Sequence, residues 1–263
     1  MKQRFKNMIQ NNKFLKYVPN SLTLCNSLCG FASILLTLQA YEVGEAAHIS
    51  AFFGISAAVI CFAMVFDALD GFAARIFNAA SMHGIQMDSL ADMTTFGVAP
   101  AVLCAVLTHS LKGTALTEQL SVYLLCSVYL GGAALRLATY NVHAMEEHKS
   151  SNYFSGIPSP GAAAAICVAV WLACDLDFSK RELAMILPAF AALLGLLMVS
   201  KFQYLHVGKW LASVKRNRKK LFILIVILVF LAAFQLKALA FLVAVYILSG
   251  PVNALYRKLF AKA

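Results

Sequence analysis

Apolar runs of about 20 residues follow one another along this chain, each long enough to cross a hydrocarbon layer about 30 Å thick. A backbone in that layer has no water to bond with, so such runs must become helices packed side by side. Read with their breaks, they predict spans over Ser21–Tyr41, Ala51–Phe77, Leu90–Leu111, Leu120–Met145, Pro160–Cys174, Leu183–Ser200, Leu221–Gln235 and Ala238–Tyr256. The fold class is therefore all-α, a polytopic transmembrane bundle of about eight spans, six in a core and two after it. The last two are divided only by Gln235, Leu236 and Lys237, and a single long helix is the competing reading. With 61% hydrophobic and 13% charged residues, no soluble domain is left over.

Positive charge gives the bundle a direction. Lys2, Arg4, Lys6, Lys13 and Lys16 precede the first span, seven Lys or Arg fall between Lys201 and Lys220, and Arg257, Lys258 and Lys262 follow the last. Eight spans put all of these on one side, which the positive-inside rule makes cytoplasmic. The loop expected around Ser81 to Gln86 then faces the cytoplasm too. A net charge of +10 does not point to nucleic acid, because the basic residues flank membrane spans and are not interleaved with aromatics on a soluble face. Membrane lipids are their partners, through anionic head groups, or they set topology alone. The first run is of full spanning length behind a polar segment, which predicts an uncleaved span. The seven cysteines all fall in or beside spans without a C-x-x-C pair, as small packing residues do; Cys25 and Cys29 share a helix face, where packing outweighs metal binding.

Within this apolar background, Asp67 to Asp92 carries four carboxylates and Arg75. A charge at membrane depth must be paired, solvated or bound to a cation, so such residues are functional candidates. At about 100° per residue, Asp67 and Asp70 share a helix face with Gly71, Ala74 and Arg75. Asp88 and Asp92 repeat the arrangement on the next helix. Two facing acid pairs make an oxygen-rich box of the kind Mg²⁺ or Mn²⁺ prefers, with phosphate oxygens able to complete the shell. Gly71 and Ala74 leave room for a nucleotide or diphosphate against the helix, and Arg75 can pair with phosphate.

The pattern D-x2-D-G-x2-A-R-x8-G-x3-D-x3-D resembles the signature of the CDP-alcohol phosphatidyltransferases and is met at Asp67, Asp70, Gly71, Ala74, Arg75, Gly84, Asp88 and Asp92. Four further segments look like the bacterial phosphatidylserine synthase branch: P-N-S-L-T from Pro19, D-S-L-A-D-x3-F-G-V-A-P-A from Asp88, A-L-R-L-A-T-Y-N-V from Ala134, and F-S-G-I-P-S-P from Phe154. Thr139-Tyr140 departs from a more basic, phenylalanine-like pair. The likeness implies a metal-dependent enzyme that moves the phosphatidyl group of CDP-diacylglycerol to L-serine, with Mg²⁺ or Mn²⁺ on Asp67, Asp70, Asp88 and Asp92. It also implies Asp92 as general base, Gly71, Ala74, Arg75 and Gly84 around the CDP and its phosphates, Asn20 and Thr23 as further contacts, and a homodimer in the bacterial inner membrane. Helix capping and interhelical bonding are the plainer roles for Asn20 and Thr23.

Three roles are open to Arg136 in the fourth span: neutralising an acid, holding a lipid phosphate, or binding the carboxylate of an amino-acid substrate. The connector from Met145 to Pro160 is either part of the acceptor pocket or an ordinary turn, and His83 is a site neighbour or a solvated loop residue. The segment as far as Lys16 is either an amphipathic helix or a disordered tail. The organisation expected is a polar segment over 1–18, a transmembrane core over 19–200 and a basic loop with a helical hairpin over 201–263. Beyond Trp171 no motif carries chemistry. Glycerol 3-phosphate or inositol phosphate as acceptor, an intramembrane prenyltransferase and a cation transporter are the competing functions, the last leaving Arg75, Gly71 and Gly84 unexplained.

Overall fold

The computed structural model describes residues 17–43, 46–77, 81–112, 116–145, 153–175, 180–205 and 218–260. The polar segment as far as Lys16, residues 146–152 of the connector and residues 206–217 of the basic loop lie outside these. In chain order the elements are α1 (Val18–Val43), α2 (Ala46–Phe77), α3 (Met82–Asp92), a π turn (Met93–Val98), α4 (Ala99–Lys112), α5 (Leu116–Met145), β1 (Tyr153–Ser155), α6 (Ser159–Asp175), α7 (Lys180–Val199), β2 (Gln203–Leu205) and α8 (Arg218–Phe260). Five of the described helices are long and apolar enough to cross a membrane, and Ser159–Asp175 and Ile186–Val199 are shorter apolar helices. The chain is an integral membrane protein.

Helix α1 shows how such helices differ from soluble ones. Its buried stripe is small or polar, through Thr23, Asn26, Gly30, Ser33 and Thr37, while Leu24, Leu28, Phe31, Leu35 and Leu38 are exposed on the outer face. Lipid is as apolar as leucine, so close packing and hydrogen bonds hold the helices together. At the α1–α2 seam the Ser33 and Thr37 hydroxyls each lie 2.7 Å from the Ser56 hydroxyl. Between α5 and α7 the backbones touch: a Cβ at Gly132 would lie 2.8 Å from Gly195 Cα, and one at Gly195 would lie 2.6 Å from Tyr129 Cα.

The third span begins earlier than the sequence suggests. Residues 82–86, expected as loop, form the first turn and more of α3, because Ser81 caps the helix by accepting the Gly84 N–H at 3.0 Å. His83 is therefore a helical residue, exposed on that first turn. Ten residues later the same rod widens into the π turn, where the Ala99 N–H reaches back five residues to Thr94 O. Pro100 is the physical cause: it has no N–H for Phe96 O and its ring crowds that carbonyl. The Tyr129 hydroxyl donates to Phe96 O instead, at 2.7 Å.

Helix α8 is broken at Gln235 (φ 44°, ψ −117°). The rings of Phe230 and Phe241 are 5.9 Å apart, whereas eleven residues of straight helix would separate their Cα atoms by roughly 16 Å. The two halves thus fold back on each other as a hairpin, with the turn where Gln235 to Lys237 predicted it. Trp171 and Asp175, at the end of α6, line one groove with Leu231, Gln235 and Leu239, so that turn sits at the far end of the bundle from the aspartates. At the aspartate end, β1 and β2 pair antiparallel in a short ribbon. All seven cysteines are free thiols.

Candidate active site

Helices α2 and α3 bring the acids together. Asp67, Asp70 and Asp88 each offer an oxygen, and the three atoms lie within 4.8 Å of one another. At that separation each pair of ionised groups repels by about 3.5 kcal/mol for an effective dielectric of about 20. Asp70 is 5% exposed, and Asp88 Oδ1 is buried without a hydrogen-bond partner among the described residues. A cluster of mutually repelling hard oxygens with one acceptor unserved fits a divalent cation. Asp92 stands one helical turn deeper than Asp88, outside that trio.

Helix α1 holds the acids from the other side. Thr23 Oγ1 donates to Asp70 Oδ2 at 2.8 Å and also lies 3.0 Å from Pro19 O. Thr23 is thus turned onto an acid. Asn26, fully buried, donates from Nδ2 to Asp92 Oδ1 at 3.1 Å, while its own Oδ1 has no partner among the described residues. The Asn26 carbonyl accepts from Thr95 Oγ1 at 2.9 Å, fastening α1 to the π turn. Gly30 makes that contact possible, since a Cβ there would lie 2.8 Å from Thr95 Cα. Asn26 escaped the sequence reading; the only signal was its polarity one turn beyond Thr23.

The residues expected around the nucleotide are spread over α1, α2 and α3. Gly71 is exposed with nothing within 4 Å of where a Cβ would stand, and Ala74 lies partly buried one turn on. Arg75 is exposed and its Nε donates to Gly71 O at 2.9 Å, so the guanidinium lies back along its own helix. A Cβ at Gly84 would lie 3.7 Å from Asn20 Oδ1, which sets Asn20 and Gly84 face to face across the α1–α3 gap.

Arg136 enters from α5. Its Nη1 donates to Ser159 Oγ at 2.7 Å, at the start of α6. Asp92, Tyr140, Tyr246 and Asp67 are near enough to act on it electrostatically. Nearby, Ser89 Oγ donates to Asn141 Oδ1 at 2.9 Å and ties α3 to α5. The G-I-P-S segment is anchored on α7 and the strand after it: Gly156 N–H donates to Phe202 O at 2.8 Å and Ile157 N–H to Leu197 O at 3.2 Å.

The sequence profile of the CDP-alcohol phosphatidyltransferases matches residues 16–197. A protein of Helicobacter pylori named CDP-diacylglycerol–serine O-phosphatidyltransferase is 30% identical over 239 residues, covering 90% of this chain and 91% of its own. The protein of that name in Bacillus subtilis is 30% identical over 200 residues, 76% of this chain and 96% of its own. The Saccharomyces cerevisiae protein of that name is 32% identical over 157 residues, 57% of this chain and 52% of its own.

Proposed function

The chain belongs to the CDP-alcohol phosphatidyltransferase family, and from that membership we propose that it transfers the phosphatidyl group of CDP-diacylglycerol to L-serine, giving phosphatidylserine and CMP. The observation that carries the chemistry is the Asp67, Asp70 and Asp88 oxygen cluster with its unserved acceptor. Serine is supported by the name shared among the relatives of this chain.

Asp67, Asp70, Asp88 and Asp92 would hold Mg²⁺ or Mn²⁺, which when bound offsets the charge of the diphosphate and of the departing CMP. The chain's own groups do the rest. The serine hydroxyl attacks the phosphorus that carries diacylglycerol, a P–O bond forms to serine, and the P–O bond to CMP breaks. The hydroxyl proton goes to Asp92, which Asn26 orients through the bond to its Oδ1. Thr23 keeps Asp70 turned inward through the bond to its Oδ2. Gly71 leaves open space for the nucleotide, with Ala74, Arg75, Gly84 and Asn20 around it.

Arg136 is the group we assign to the serine carboxylate, since it is a partly buried cation that donates to Ser159 and stands near Asp92 and Asp67 beside the acid cluster. The site opens toward the cytoplasm, on the side rich in Lys and Arg, of a bacterial inner membrane. The family resemblance supports a homodimer. The test is CMP release by purified protein from CDP-diacylglycerol with L-serine, glycerol 3-phosphate or inositol phosphate. Release with serine alone is expected; release with another acceptor overturns serine, and none at all overturns the reaction.

A further inference from the structure

Residues 201–263 follow the region matched by the family profile, which ends at residue 197, yet they reach back to the acceptor side of the site. We propose that Tyr204 and Gly250 are positioning residues: Tyr204, seated against Gly250, fixes the β1–β2 ribbon and through it the Ser159–Arg136 pair that receives the acceptor. This rests on the assignment of Arg136 to the serine carboxylate.

The seat is made by Gly250 and Pro251. Pro251 has no N–H, so the carbonyl of Ile247, four residues earlier, loses its helical donor. The Tyr204 hydroxyl donates to that carbonyl at 3.1 Å. Gly250 gives the ring its space, because a Cβ there would lie 2.7 Å from Tyr204 Cε2 and nearer still to Cζ. The ring is fully buried and meets the Tyr246 ring at 5.7 Å. Tyr246 in turn stands near Arg136.

From the seat the constraint runs through short, specific contacts. Tyr204 lies opposite Phe154 and Gln203 opposite Ser155 in the ribbon, and Arg257 Nη1 on α8 donates to Gln203 Oε1 at 2.6 Å. A pair of three-residue strands is marginal on its own, so its position depends on what clamps it. Next comes Gly156, at φ 77°, where a Cβ would collide with Met198 O and lie 2.9 Å from Met198 C. No side chain fits there, so the turn is fixed on α7. Ile157 is fully buried on the same helix end, and two residues later Ser159 accepts from Arg136.

The experiment measures steady-state kinetics of the full-length protein in detergent, with CDP-diacylglycerol and L-serine varied separately, for Tyr204→Ala, Gly250→Leu, the double variant and Arg136→Lys. Tyr204→Ala and Gly250→Leu should each raise the serine KM about tenfold while kcat and the lipid KM stay within about twofold. In the double variant the new side chain at 250 occupies the space the ring vacated, so its serine KM should fall below that of either single variant. A merely structural role would lower kcat and the melting temperature and leave the serine KM unmoved, so a serine KM that rises alone in the single variants separates the two. Serine KM values that stay at the wild-type level in both single variants overturn the proposal, as does a double variant worse than both. Arg136→Lys separates the two claims: a raised serine KM there with unchanged Tyr204 and Gly250 variants refutes the clamp alone, and an unchanged serine KM there refutes the Arg136 assignment and the clamp with it.

Discussion

Replacing Asn26 with leucine separates activity from stability at one buried residue. Leucine keeps the branch at Cγ but removes the amide that donates to Asp92 Oδ1 at 3.1 Å. A hydrogen bond to a charged group contributes about 1.5–3 kcal/mol. If that bond holds Asp92 in line for proton transfer, its loss lowers kcat about 10- to 150-fold at 1.36 kcal/mol per factor of ten. Stability should respond differently. Asn26 Oδ1 is buried without a partner among the described residues, and an unserved acceptor costs about 1–3 kcal/mol. Removing it offsets the lost bond, so the melting temperature in detergent should move little. The assay is the initial rate of CMP release at saturating CDP-diacylglycerol and serine, beside a thermal melt of the same preparation. In an Asp92→Asn background the leucine substitution should have no further effect on the residual rate. A kcat within twofold of wild type refutes the reasoning, and so does a loss of rate matched by a large drop in melting temperature.

Other substitutions probe separate parts of the account. Asp92→Asn should cut turnover to a small residual rate while CDP-diacylglycerol still binds, measured by equilibrium binding; a normal rate would remove the proposed base. Thr23→Val takes the 2.8 Å donor from Asp70 and should raise the Mg²⁺ or Mn²⁺ concentration for half-maximal rate about tenfold or more, as loss of a group that orients a metal ligand commonly does. Gly132→Leu forces α5 from α7, where Gly195 lies against the backbone, and should destabilise by about 1–3 kcal/mol or more, read as a lower melting temperature.

Much of this was legible in the residues because the spacing of charges in an apolar chain has few physical explanations. The eight-position pattern from Asp67 to Asp92 marked the acids, and α2 and α3 bring three of them together. Two polar residues, Gln235 and Lys237, sufficed to mark the turn of the last hairpin. What escaped depends on partners distant in sequence. Pro100 announces an unserved carbonyl at Phe96, but nothing local says that Tyr129 supplies the donor. Pro251 and Tyr204 repeat that device. The ribbon joins two strands of three residues each, too short to give an alternating pattern. Asn26 reads as one more polar residue until α1 is packed on the third span. The early start of α3 was missed because a serine cap outweighed the polar composition of residues 81–86.

The central claim is transfer to serine, and the most direct measurement follows both products together. Purified protein would be given CDP-diacylglycerol, labelled L-serine and Mg²⁺ or Mn²⁺, and CMP and chloroform-extractable label would be quantified over time. The account predicts one labelled lipid for each CMP and neither product in excess EDTA. CMP released without labelled lipid, or full activity in EDTA, would contradict it.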